Sequence, residues 1–180
     1  MTSPGDILDF WFVQHGRDDW FSAAPEFDAL IATNFSETHA AIDRGEGWSW
    51  RTGAEGRLAE IIVLDQFSRQ IFRGESRAFA SDRLALTLAQ EAVGGGHHNF
   101  LPMPQRMFVL LPFLHSESAV VQEESIRLHR TLGDAQLLGY AEEHAAIIRR
   151  FGRFPRRNEA LGRRSTPAEL EYMASGDGMF

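Results

Sequence analysis

Residues 135–151 read Ala-Gln-Leu-Leu-Gly-Tyr-Ala-Glu-Glu-His-Ala-Ala-Ile-Ile-Arg-Arg-Phe. At about 100° per residue, Leu137, Ala141, His144, Ile148 and Phe151 fall within one narrow arc, while Glu142, Glu143, Arg149 and Arg150 lie opposite. A half-buried strand would alternate apolar and polar residues with period two, which this stretch does not. It is therefore a helix with one buried face, and His144 points inward from it.

The same period runs outward through the chain. Pro25 at a first helical position opens a segment in which Phe27, Leu30, Ile31, Phe35 and Ile42 share a face, and Gly45 ends it. Thr52 with Glu55 has capping-box spacing and opens a helix through Leu58, Ile61, Ile62, Val63 and Leu64, whose consecutive apolar residues require burial on most sides. Ser76 caps a helix carrying Phe79, Leu86 and Val93, which stops at Gly94-Gly95-Gly96. An apolar helix follows over 103–114, with Pro112 set to kink it. Then come a helix over 118–132, where Glu123 and Arg127 pair at i,i+4, and a short one opened by Thr166, Pro167 and Glu169. No segment shows sustained β patterning. The fold class is all-α: antiparallel helix pairs in a compact bundle or short superhelix, forming a single domain over 1–180.

Composition narrows the function classes. The chain has 180 residues, 43% hydrophobic and 24% charged, which is an ordinary globular balance. Its longest apolar run, Met107 to Leu114, is far short of the roughly 20 residues a membrane span needs. Met-Thr-Ser-Pro-Gly-Asp at the start has no basic or apolar leader region, so a cytoplasmic location is the default expectation. With no cysteine and no lysine, thiolate chemistry, iron–sulfur clusters, Schiff bases and the lysine-bearing phosphate loop are excluded. No metal-ligand spacing and no cofactor motif occurs, and the His97-His98 pair after three glycines reads as a solvated turn. A net charge of −7 argues against general nucleic-acid binding.

Within this acidic chain, seven of the 18 basic residues lie between Arg149 and Arg164. A guanidinium is a planar fork suited to carboxylate or phosphate. Arg149, Arg150, Arg163 and Arg164 read as helix-end and solvent charges. Arg153, Arg156 and Arg157 alternate with Phe151, Phe154 and Pro155, and aromatic anchors would hold them ready for a ligand. The same alternation has the composition of a single-strand nucleic-acid surface, which the acidic balance opposes. Elsewhere, charge interrupts apolar faces: Asp65 follows Leu58, Ile61 and Ile62, Arg69 extends that face, and Asp82 sits between Phe79 and Leu86. His115, Ser116 and Glu117 follow one buried helix and Arg73 follows another. These groups either form internal ion pairs that fix helix register, or line a cleft.

Several runs together resemble one family. Leu-Asp-Gln-Phe-Ser-Arg-Gln-Ile-Phe-Arg-Gly (64–74), Arg-Ala-Phe-Ala-Ser-Asp (77–82), Leu-Pro-Phe-Leu-His-Ser-Glu (111–117) and Arg-Phe-Gly-Arg-Phe-Pro-Arg-Arg-Asn (150–158) are similar to the bacterial domain of unknown function 924, with Leu-Asp-Phe-Trp-Phe (8–12) at the start. The resemblance implies a tetratricopeptide-like helical fold and no known activity. It carries over signature positions Asp65, Gln66, Phe67, Arg69, Phe72, Arg73, Asp82, His115, Ser116, Glu117, His144, Gly152, Arg153, Phe154, Pro155, Arg157 and Asn158. Ser68 and Gln70 depart from the family's usual proline and asparagine, and the first departure bears on whether the helix breaks sharply after Phe67.

The leading expectation is a helical binding module. Its polar cleft, drawn from Asp65, Gln66, Arg69, Arg73, Asp82, Arg153, Arg157 and Asn158 with His115 and His144, takes a small anion or a peptide carboxylate. An alternative is a metal-independent hydrolase or lyase with His115 or His144 as base and Glu117 beside it. A second alternative is a protein–protein scaffold using Trp11, Trp20, Trp48 or Trp50. No membrane, metal or cofactor enters any of these readings.

Overall fold

The computed structural model describes residues 1–176, and every regular element in them is helical. No helix among them is long and apolar enough to cross a membrane. The contacts resolve into two compact units: Met1–Arg73 with Arg77–Pro112, and Gly74–Ser76 with the chain from Phe113 onward.

In the first unit, α1 (Pro4–Asp9) begins at a Ser3–Asp6 capping box and passes into a π-helical turn, Phe10–Gln14. After α2 (Arg17–Trp20) comes α3 (Pro25–Asp43), bounded as the proline and glycine signals require. The helix read from Thr52 starts differently. Thr52 belongs to the 3-10 turn Trp48–Thr52, and α4 (Ala54–Ile62) has Gly53 as its N-cap with no side-chain cap. The Trp50 carbonyl lies close over the first turn of this helix: a Cβ on Gly56 would stand 1.9 Å from the Trp50 oxygen. The helix continues through a π-helical turn, Val63–Phe67, into α5 (Ser68–Ile71), so it does not break after Phe67. Ser76 does not cap the next helix either. It opens a 3-10 turn, Ser76–Phe79, and α6 (Asp82–Gly94) starts after Ser81. A turn over His97–Phe100 leads to α7 (Met103–Leu114), which contains Pro112.

Burial of the apolar faces holds this unit together. Ile7, Trp11, Ile31, Ile42, Leu58, Ile61, Ile62, Leu64 and Phe67 are fully enclosed, each worth about 1.5–3 kcal/mol relative to exposure. Rings interlock at the centre. Phe35 stacks on Phe67 with centroids 5.0 Å apart, and Trp20 meets Phe108 edge-on at 4.9 Å. The Trp20 indole donates to the Trp11 carbonyl, so its polar edge is satisfied where it is half-buried.

In the second unit, α8 (Ala119–Arg130) and α9 (Ala135–Phe151) form a pair across the short connection 131–134. Asp134 caps α9 by accepting from the Gln136 and Leu137 N–H groups. At the other end Gly152 takes the left-handed conformation (φ 71°) that stops the helix. The ion pairing read on α8 is shifted: Arg127 binds Glu124, and Glu123 instead reaches Arg149 on α9. A 3-10 turn, Pro155–Arg157, precedes α10 (Pro167–Ala174), which begins with the Thr166–Glu169 capping box. Ile147, Ile148 and Phe154 form a local core, with Phe151 and Tyr172 packed against it.

Candidate functional site

The sequence-predicted residues fall in both units. In the first, the π-helical turn places Asp65 inside, 1% exposed, where it accepts from the Gln66 amide at 2.6 Å. Such turns recur at functional sites because they re-aim a side chain without ending the helix. Arg69, one turn on, donates to the Asp65 carbonyl at 2.6 Å and pairs with the Asp65 and Asp82 carboxylates at 3.3 and 3.0 Å. Burial opposes the Arg69 charge, but the two carboxylates outweigh it and raise its pKa. Arg73 makes a two-pronged pair with Asp28. Arg69 and Arg73 are thus bound to carboxylates of their own unit.

Ser68 explains part of the helix continuity. Its hydroxyl donates to the Leu64 carbonyl and accepts from His39 at 2.7 Å, in a fully enclosed position. Burial lowers the pKa of His39, so the pair is a neutral lock inside the core. His98 is half-buried rather than solvated. Burial also lowers its pKa, and its ring donates to the Ala92 carbonyl.

The second unit gathers the histidines. His144 is 8% exposed, and its Nδ1 lies 2.7 Å from the Tyr140 carbonyl. A carbonyl only accepts, so Nδ1 carries the proton and Nε2 is the basic nitrogen. His129, fully enclosed on α8, repeats the pattern with the Ser125 carbonyl at 2.9 Å, and its Nε2 has no hydrogen-bond partner among the described residues. Both imidazoles are held neutral. Burial is the main cause, the carbonyl bonds oppose it, and the nearby charge of His115 adds to it; for His144 the pKa falls to about 3, with Arg157 also contributing. Phe154 links this group, since its ring meets His144 edge-on at 5.7 Å and lies under the Arg157 guanidinium at 4.6 Å. Arg157 also donates to the His115 carbonyl at 2.9 Å.

Gln122, buried on α8, fixes the turn that carries His115. Its amide donates to the Leu114 and Ser116 carbonyls at 2.8 and 2.7 Å. The Ser116 hydroxyl accepts from the Ser118 N–H, an ordinary turn contact. Glu117 is occupied. It binds Arg163 through both oxygens, at 2.7 and 2.9 Å, and accepts from the Phe154 N–H at 2.8 Å. Burial would raise its pKa, but these bonds hold it below the usual carboxylate range.

Arg163 is not a solvent charge, as its place in the sequence suggests, but the centre of a loop closure. Besides Glu117 it binds the Asn158 side chain and the Phe154 carbonyl, and Asn158 donates on to Ser165. Arg153 forms a two-pronged pair with Glu169 and also donates to the Arg164 carbonyl. Glu169 is 2% exposed, and the Arg153 and Thr166 bonds draw its pKa to about 2. The internal-pair reading of Asp65, Arg69, Asp82 and Arg153 therefore describes their geometry. Of the tryptophans, Trp11 and Trp50 are buried and Trp48 stands 72% exposed.

Sequence reasoning missed Gln122, His129 and Arg163. Only His129 had a legible signal, because it lies three residues after Ile126 and so shares the buried face of α8 with it. Among the described residues no group of His, Asp and Glu is arranged to hold a metal ion.

The sequence pattern of a family described as a bacterial protein of unknown function, DUF924, matches residues 7–177. The chain is also similar to a solved structure of a protein of unknown function from Agrobacterium tumefaciens. The two share 40% identity and a TM-score of 0.91 over 96% of this chain and 97% of the other. No curated protein matches.

Proposed function

We propose a function for a chain that belongs to the bacterial DUF924 family: a helical binding module whose second unit takes a small anion at His115, His144 and Arg157. The supporting observation is the group closed by Phe154, which holds a neutral imidazole and a permanent guanidinium against the same ring. A cation beside a neutral acceptor suits a ligand that brings both a negative oxygen and a hydrogen-bond donor, such as a carboxylate with a hydroxyl or amide beside it. Arg69, Arg73 and Arg153 bind carboxylates away from the histidines, and Arg157 is the recognition arginine of this reading because it shares the Phe154 ring with His144. The α8–α9 pair fits the tetratricopeptide-like arrangement that belongs to the same proposal, as does a cytoplasmic setting for a chain without cysteine.

The enzyme reading is weaker for one specific reason. A histidine with a pKa near 3 is a poor general base at neutral pH, so that role would fall to His115. Thermal-shift measurements with a panel of small carboxylates and phosphates test the binding reading. A ligand at 100 times its dissociation constant stabilises by about 2.7 kcal/mol. The shift disappears in Arg157→Gln and in His144→Gln and persists in Arg73→Ala. A panel without any shift, or a shift that survives both site variants, overturns it.

A further inference from the structure

Two guanidinium groups of the arginine-rich stretch, those of Arg150 and Arg164, stand apart from its ion pairs. Arg149, Arg153 and Arg163 are bound to Glu123, Glu169 and Glu117. Arg150 and Arg164 are exposed, and among the described residues neither side chain meets a carboxylate. Arg150 lies 4.7 Å over the Phe151 ring and 5.7 Å from that of Tyr172. These rings are themselves in contact, with centroids 5.1 Å apart. Arg164 is tied to the same place through its carbonyl, which accepts from Arg153 at 2.9 Å.

Arg150 lines a surface depression together with Phe151, Arg153, Thr166, Ala168 and Glu169, and the Arg164 carbonyl is bound to one of these residues, Arg153. The floor of the depression is rigid. The Arg153–Glu169 pair ties the second residue after α9 to the first turn of α10, and the Thr166–Glu169 capping box closes that turn. A floor braced in this way, with the Arg150 guanidinium in its wall, lowers the ordering cost of binding an anionic partner. The aromatic surface of Phe151 adds an apolar contact.

We infer that this depression docks an acidic peptide segment of a partner protein, with carboxylates on Arg150 and Arg164 and an apolar side chain against Phe151 and Ala168. Charge complementarity selects that class. The patch is basic within a chain of net charge −7, which repels a long nucleic-acid polyanion at range yet leaves a short carboxylate segment a local site. The surface is separate in its residues from the His115–His144–Arg157 group.

Fluorescence anisotropy with a labelled peptide of Glu, Asp and Phe tests this, with a peptide of Gln, Asn and Phe and an oligothymidine of equal length as comparisons. The acidic peptide binds, weakens with added salt, and loses at least tenfold in affinity in Arg150→Glu. The exposed charge reversal Arg83→Glu in the first unit leaves binding unchanged. Absence of binding, or equal binding by Arg150→Glu, overturns the inference. So does tighter binding of the oligothymidine, which would give the surface to nucleic acid. A concentration-dependent dimer dissolved by Arg150→Glu would give it to a second copy of the chain and equally overturn it.

Discussion

The ion pairs of this protein differ in worth because they differ in burial and in how many partners share them. Glu117 and Arg163 are about a quarter exposed and are joined by Phe154 and Asn158 in one network. Glu117→Gln keeps one accepting oxygen but removes the charge and turns the other oxygen into an NH2 that faces a donor of Arg163 or Phe154, and we expect a loss of about 2 kcal/mol. Arg73 is 46% exposed and among the described residues pairs with Asp28 alone, so Arg73→Ala costs at most about 1 kcal/mol. Urea titrations of both variants check the contrast, and equal losses would refute it. Residue-level reading went furthest where a side chain sits on an established apolar stripe, as His144 does. It failed for Arg163, because nothing in the local run Leu161-Gly-Arg-Arg-Ser indicates that a carboxylate from residue 117 lies above it.

At the scale of elements, local signals were reliable when the helix end satisfied itself. Thr166 and Glu169 form their capping box as the spacing requires, and Pro25 and Gly152 bound their helices. Thr52 with Glu55 has the same spacing and forms no box, because Trp50 and its neighbours are drawn into a 3-10 turn whose carbonyl presses on Gly56. That contact gives a prediction. Gly56→Ala inserts a methyl group where backbone lies 1.9 Å away, and despite alanine's better helix propensity it destabilises by at least about 2 kcal/mol. A lowered urea midpoint for Gly56→Ala, against a raised one for Gly139→Ala, is the expected result. Gly139 on α9 meets no atom within 4 Å, so a comparable loss there would remove the steric explanation.

For the whole molecule, acid sensitivity sums these buried groups. The unfolded chain protonates His129 and His144 near 6.5, while the folded chain refuses the second of these protons until about pH 3 and the first below its ordinary value. Stability is therefore full above pH 6.5 and falls as pH drops below it, by up to about 1.4 kcal/mol per pH unit for each histidine. Glu169, depressed to about 2, adds a loss as pH falls below the ordinary 4.5. Unfolding free energies from pH 8 to 4 should show this decline, and His144→Gln should make it shallower by one proton; an unchanged slope would mean that His144 is charged in the folded state. The sequence by itself determined the all-α class, most helix bounds and the inward direction of His144, because helical period and capping act within a few residues. Only tertiary structure decided which carboxylate holds each arginine, which imidazoles are neutral, and that Gln122 pins the His115 turn. Those outcomes depend on burial and on contacts between residues far apart in the chain, and neither is encoded in local spacing.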